Sequence, residues 1–387
     1  MRRLTTLIAG SVLLATGPVL ADQGISPTEI VIGTHTALTG PVAPWGIGST
    51  NGIRMRFDEE NDKGGIYGRK IKYIVEDHGY QVPRAVQAGN KLLNSDKIML
   101  MVGALGTPMN NAVFQQQLAL GVPNLGPFTA ARSMYHPFHK LKFATLSSYY
   151  DQTRAGFKYF AEKKGMKTPC VMYEDNDFGQ EILEAVRDEA KVMNIKVAAE
   201  SGHKPTDTDF TGAITKLRDA KCEVVFMGTI VRDTIIPYST ARKLGWNAAF
   251  VGTSAAYENV VATAQGGITE GFYTLNGQEV IYADQVESPE AKAFFDKYKA
   301  KYNVDPFYPA QLGYGIGDLV VGALKEAGKD LTTEKFLKAF ESIKDRVGPV
   351  GGPPITFTAT QHLGSNLVFL GVVEKGRWKS VERNLKY

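Results

Sequence analysis

The sequence predicts an α/β protein of two doubly wound parallel-sheet lobes joined by a multi-strand hinge. Three observations lead there. Strand-like apolar runs alternate with helical periodicity. The same order of elements occurs twice along the chain. The length, 387 residues, suits two cores better than one. Alternation with short links implies right-handed crossovers, and hence parallel sheets.

The elements follow in order. Residues 29–36 (EIVIGTHT) read as a buried strand, 38–48 as a Gly/Pro-rich loop, and 49–61 as a helix with Ile53 and Phe57 one turn apart. Next come a strand (70–77), a helix with Pro83 in its first turn (83–94), a strand ending at Gly103 (98–102), a helix (109–120) and a short strand (122–125). The order then recurs. Strands at 170–173, 196–200, 223–227 and 249–251 alternate with helices at 178–193, 209–220 and 232–244. The repeat is one of architecture, with no residue-level duplication. A strand at 272–275, helices at 289–302, 314–327 and 333–342, and antiparallel strands at 355–357 and 367–375 complete the chain. These are too few for a third domain, so they finish the two lobes and the chain crosses between lobes more than once. The expected division is 22–146 plus 275–350 for lobe 1, and 147–274 plus 351–387 for lobe 2.

The first 21 residues predict a secretory signal. Arg2 and Arg3 precede an apolar stretch from Leu4 to Leu20, and Val19-Leu20-Ala21 ends in a cleavage-competent pattern. Gly10 and Gly17-Pro18 interrupt the stretch, which makes it a poor membrane anchor. No Cys follows the cut to carry a lipid. The formal charge is +4, and loss of Arg2 and Arg3 leaves about +2. Basic and acidic residues are interspersed without a basic block, so no nucleic acid is expected as a partner. Cys170 and Cys222 are the two cysteines, and an oxidising compartment would allow one disulfide between them.

Enzyme motifs are absent. The chain has no G-x-x-x-x-G-K-[ST], no G-x-S-x-G and no H-E-x-x-H. The glycines Gly46, Gly48 and Gly52 resemble a dinucleotide fingerprint with one extra residue, but they sit well after their strand. His136 and His139 flank Pro137 and read as a surface loop, and no metal or cofactor is expected. Asp175-Asn176-Asp177 reads as a turn that caps the next helix.

A ligand in such a fold sits at the carboxyl ends of the strands. The loops there are 37–48, 103–108 and 126–132 in the first lobe, and 174–178, 228–233 and 252–258 in the second. Thr39, Thr107 and Thr129 offer hydroxyls, and Gly40, Gly46, Gly103 and Gly106 let backbone amides approach a ligand. Helix N-termini of this kind suit a carboxylate. Trp45, Phe128, Tyr150, Phe178 and Tyr257 supply aromatic walls. Each residue also has a plainer role. A loop aromatic packs over its own lobe, a Thr before a helix caps it, and Arg232 at a helix start is either a carboxylate partner or a solvated surface residue.

Two segments carry a resemblance: IVIGTHTALTGPVAPWGIGSTNGIRMRFDEENDKGGIYGRKIKYIVED and VMYEDNDFGQEILEAVRDEAK. They resemble the type I periplasmic binding proteins, specifically the leucine/isoleucine/valine-binding family of ABC importers. T-G-P, W-G and N-x-K-G-G-I-x-G stand at family spacing, and the likeness runs from about Ile25 to the C-terminus. It implies a periplasmic, bilobed, monomeric protein that closes on a small molecule and docks on an inner-membrane ABC permease. By the same resemblance Trp45 covers the ligand, Thr107 and the Phe128-Thr129-Ala130 loop meet its carboxylate, and Phe178 comes from the other lobe. Ile230 stands where amino-acid binders often have Tyr. Ser254 departs from the family, because amino-acid binders commonly place an acid near it to pair with the ligand ammonium. A buried ammonium without a partner is costly. Asp233 and Glu258 would replace that acid only if turned inward. The expected ligand is therefore an aromatic or aliphatic carboxylate, with branched amino acids, short amides or urea, and a sensor role as alternatives. Cys170 and Cys222 begin the first and third strands of the second lobe, neighbours in a 2-1-3 order, which favours their pairing.

Overall fold

The computed structural model describes residues 22–387, and the expected signal segment lies outside them. The first sheet contains β1 (Glu29–Thr36), β2 (Lys70–Asp77), β3 (Leu100–Val102), β4 (Asn124–Leu125) and β5 (Lys142–Phe143). All its pairs are parallel, in the order β2-β1-β3-β4-β5. From Ile30 onward β1 is buried except at Val31, as a strand covered on both faces must be. Helices α1 (Ala43–Asp62), α2 (Val82–Asn90) and α3 (Thr107–Ala119) connect these strands.

The second lobe opens with α4 (Tyr149–Lys164), which sequence reasoning did not anticipate. Its limits have clear causes: Ser148 caps the start by accepting from the Asp151 N–H, and Gly165 ends it at φ 69°. Then follow β6 (Pro169–Glu174), α5 (Asp177–Val192), β7 (Ala199–His203), α6 (Thr211–Asp219), β8 (Val224–Gly228), α7 (Val231–Lys243), β9 (Ala249–Gly252), α8 (Asn259–Ala262) and β10 (Tyr273–Asn276). The chain continues through α9 (Pro289–Tyr302), α10 (Tyr308–Glu326), α11 (Thr333–Glu341), the hairpin β11 (Arg346–Gly348) and β12 (Gly351–Ile355), then β13 (Val368–Glu374) and β14 (Arg377–Leu385). The second sheet runs β14-β13-β10-β9-β8-β6-β7, with β13 and β14 antiparallel.

Cys170 and Cys222 are joined by a disulfide, with Cα atoms 5.8 Å apart. Cys170 lies on β6 and Cys222 just before β8, and those strands are paired neighbours.

The chain passes between lobes between β5 and α4, β10 and α9, and β12 and β13. Helix α10 packs along α1 of the first lobe. Two details of the expected division shift. All of β10 lies in the second sheet, beyond the 274/275 boundary. Residues 351–365 stay with the first lobe, where Leu363 bridges Ala144 and Phe357 packs edge-on against Phe143.

Helix α1 begins at Ala43, six residues earlier than expected, with Pro44 in its first turn. Its glycines are packing devices. A Cβ at Gly46 would lie 2.0 Å from the Ala37 carbonyl oxygen, and one at Gly52 would lie 2.1 Å from that of Ala310. Across the seam, a Cβ at Gly313 would lie 2.2 Å from the Ser49 oxygen. Of the fingerprint-like glycines, Gly46 thus admits the loop after β1, while Gly48 and Gly52 serve contact between α1 and α10 that places two walls of the site.

Candidate ligand-binding site

A cavity lies between the lobes at the carboxyl ends of the strands. Its volume is about 80 Å³, counted as space open to the centre of a water-sized sphere. One water needs ~10–15 Å³ on that measure, so there is room for a small organic molecule.

The first lobe supplies Trp45 from the first turn of α1, Thr107 at the start of α3, and Phe128, Thr129 and Ala130 after β4. Gly106 precedes α3 at φ 94°, a conformation that only glycine adopts readily. The turn brings the Thr107 and Thr129 hydroxyls to 2.6 Å, one donating to the other. The second lobe supplies Phe178, Ile230 and Ser254. Asn176 accepts from the Phe178 and Gly179 N–H groups, which fixes Phe178 at the helix start. The Ser254 N–H donates to Gln152 Oε1 at 3.0 Å.

Eight of the eleven anticipated residues therefore line one cavity: Trp45, Thr107, Phe128, Thr129, Ala130, Phe178, Ile230 and Ser254. Three do not. The Tyr150 hydroxyl donates to Asp188 at 2.7 Å, and the Arg132 guanidinium covers its ring at 3.8 Å. Its neighbour Tyr149 lines the cavity instead, because consecutive helical residues point about 100° apart. Arg232 turns away, donating to Asp233 Oδ1 at 2.5 Å and the Pro205 carbonyl at 2.7 Å. Tyr257 is packed behind the wall between Tyr308 and Trp378, each at 4.8 Å.

Sequence reasoning missed Tyr80, Tyr149, Leu146, Tyr308, Leu312 and Ile316, which also line the cavity. Tyr149 carried a signal, since Ser148 and Asp151 have helix-start spacing. The α10 residues carried none that local pattern could reveal, because only the return of the chain to lobe 1 brings them there. Tyr149 stands edge-on to Phe178 at 5.0 Å. Burial pushes its hydroxyl up to about 12, opposed by hydrogen bonding at Ala130 and Thr129.

Among the described residues, no Asp, Glu, Lys, Arg or His lines this cavity. Asp233 faces His203 at 3.1 Å and Arg232. Glu258 caps α8 through the Val260 N–H. Neither turns inward. The polar side chains are all hydroxyls, from Thr107, Thr129, Thr145, Ser254, Tyr80, Tyr149 and Tyr308, apart from the Trp45 indole N–H, which is engaged by Ala255.

The lobes are closed on one another. The Trp45 Nε1–H donates to the Ala255 oxygen at 3.1 Å, and Asn111 Nδ2 to Asp177 Oδ2 at 2.8 Å. The Arg132 N–H reaches both oxygens of Glu181, at 3.1 and 3.0 Å. Burial pushes the Glu181 carboxyl up to about 7 against those hydrogen bonds.

Just behind the cavity, Glu174, His203 and Asp233 bring ligand-type atoms within 4.8 Å of one another. By composition they could hold a divalent cation. A guanidinium already occupies one side of Asp233, and Asn176 donates to Glu174, so a dication would have to displace existing partners. Burial, then the nearby Asp233 charge, pushes Glu174 up to about 7.

The chain matches the family model described as periplasmic binding protein over residues 29–377. It is 26% identical over 345 residues to the leucine-, isoleucine-, valine-, threonine- and alanine-binding protein of Pseudomonas aeruginosa, covering 88% of each chain. A fatty acid ABC transporter substrate-binding protein from Thermomonospora curvata superposes with a TM-score of 0.85 at 25% identity, covering 95% of each chain. An R. palustris ABC transporter solute-binding protein in complex with benzoate has a TM-score of 0.81 at 19% identity, covering 92% of this chain and 97% of that one.

Proposed function

The chain belongs to the periplasmic binding protein family, and from that premise we propose that it captures a small carboxylate, not an amino acid, for an ABC importer of the inner membrane. It is a binding protein rather than an enzyme. One observation carries the ligand class: among the described residues, no carboxylate, Lys, Arg or His lines the cavity. An ammonium closed into that space would face no carboxylate, at a cost of several kcal/mol. A carboxylate can be held by neutral donors. The hydroxyls of Thr107, Thr129 and Tyr149 and the amides at the start of α3 suit it. Trp45, Phe128 and Phe178 would enclose an aromatic ring.

A branched-chain amino acid is the second reading, favoured by what the Pseudomonas relative is named for. The seam contacts at Ala255, Asp177 and Glu181 form only when the lobes meet. A ligand that touches both lobes therefore stabilises the closed state by its differential affinity. Delivery would follow docking of that closed state on a permease, in the periplasm if residues 1–21 direct export.

A thermal-shift screen tests the ligand class. Benzoate- or cinnamate-like acids are expected to raise the melting temperature, and leucine, isoleucine and valine to leave it unchanged. The reverse pattern establishes the amino-acid reading. Stabilisation by benzamide equal to that by benzoate would refute the need for a carboxylate.

A further inference from the structure

A second, smaller space adjoins the cleft cavity on the first-lobe side, with about 40 Å³ on the same measure. Thr145, Leu146, Leu312 and Ile316 line both spaces. The outer one is walled by a face of α10 and roofed by the β11–β12 hairpin.

Two features distinguish it from a packing defect. Gly315 lies inside α10 and borders this space, and a Cβ there would meet nothing within 4 Å. An interior helical glycine costs roughly 1 kcal/mol relative to alanine. Gly313 is required by contact with α1, and Gly317 sits against Arg56, whereas Gly315 answers to no neighbour except the open space. The second feature is Gln278, which lines the space and is only 7% exposed. Among the described residues its side-chain amide has no hydrogen-bond partner, and its polar atoms are not among the fully buried ones, so a neutral donor and acceptor stand open to the outer space. Arg346, also on that wall, is engaged by Asp318 Oδ2 at 2.5 Å. The free polar group there is therefore uncharged.

We infer that the two spaces are successive subsites of one ligand site, and that the ligand is an elongated carboxylate with a neutral hydrogen-bonding group at its far end. This rests on the carboxylate reading above. The acid and the ring or chain next to it occupy the cleft. The remainder passes Leu146 and Leu312 and ends at Gln278. At ~10–15 Å³ per water-sized group, the outer space takes about three such groups, which is the size of a short hydroxylated extension.

Calorimetric titration of the full protein with benzoate, 3-phenylpropanoate and 3-(4-hydroxyphenyl)propanoate tests this. The hydroxylated long acid is expected to bind at least about tenfold tighter than benzoate, the gain of one buried hydrogen bond and its apolar spacer. Gly315→Leu fills the outer space and should collapse that ratio toward one. Gln278→Leu should erase the preference for the hydroxylated over the plain long acid, and it serves alone if the glycine variant does not fold. Equal affinity of wild type for benzoate and both longer acids overturns the subsite while leaving the carboxylate reading standing. An unchanged ratio in folded Gly315→Leu does the same. Failure of all three acids to bind overturns both.

Discussion

Thr107 and Thr129 come from different loops, yet their hydroxyls lie 2.6 Å apart at the cavity wall. A hydrogen bond to a charged group contributes ~1.5–3 kcal/mol. Thr107→Val keeps the shape and removes the hydroxyl, so carboxylate affinity should fall roughly 10- to 100-fold. Titration calorimetry measures this, and an unchanged affinity would place the acid elsewhere in the cavity. Residue-scale chemistry was readable wherever a loop announced itself by glycine and proline, as around Trp45, Thr107 and Thr129. It failed where a helix decided orientation. Tyr149 and Tyr150 are adjacent and identical in type, and only the cap at Ser148 determines which one faces the cleft. At Arg232 the neighbour Asp233 is the partner, and no ligand is needed to account for it.

The packing of α1 against α10 is the element-scale feature on which the cavity depends, because it holds Trp45 opposite Leu312 and Ile316. A Cβ at Gly52 would meet the rigid backbone of Ala310 at 2.1 Å. Gly52→Ala should therefore destabilise the protein by about 1–3 kcal/mol, the usual cost of overpacking. Gly322→Ala, on the same α10 but with open space at its Cβ, should gain up to about 1 kcal/mol. Urea unfolding curves compare them, and equal effects would show that the seam is not tightly packed. Elements were legible in proportion to their burial. The parallel strands read as apolar runs, and β2 has the anticipated limits. The first turn and a half of α10, from Tyr308 to Gly313, was hidden by Gly313, whose presence answers to the backbone of α1 rather than to helix formation. The strand β14 escaped because it is largely exposed and carries charges, so it lacks the apolar run that marks an inner strand.

At the scale of the whole molecule, Glu174, Glu181 and Glu258 are carboxyls that burial pushes up to about 7. A carboxyl raised above its unfolded value binds more protons in the folded state between the two values. Its contribution to stability is complete below the unfolded value and is lost as pH rises through 7. His35 and His78 act in the opposite sense: burial lowers them to about 3 and about 4, so they favour the folded state above their ordinary range and withdraw that stability as pH falls. The two sets oppose each other in mildly acidic solution, which makes the total curve a poor test. The difference between wild type and Glu181→Gln isolates one carboxyl. As pH falls from 7 to 5, wild type should gain on the variant by up to about 1.4 kcal/mol per pH unit, read from unfolding free energies. Glu181 also spans the lobe seam through the Arg132 amide. Opening the lobes would return it to water, so closure takes up a proton. Ligand affinity of wild type should then rise over the same interval and that of Glu181→Gln should not. A flat difference in both measurements would mean that the N–H groups of Arg132 and of Tyr150, which donates to Glu181 Oε1 at 3.3 Å, keep Glu181 ionised against the cost of burial, and that closure is indifferent to pH at this seam.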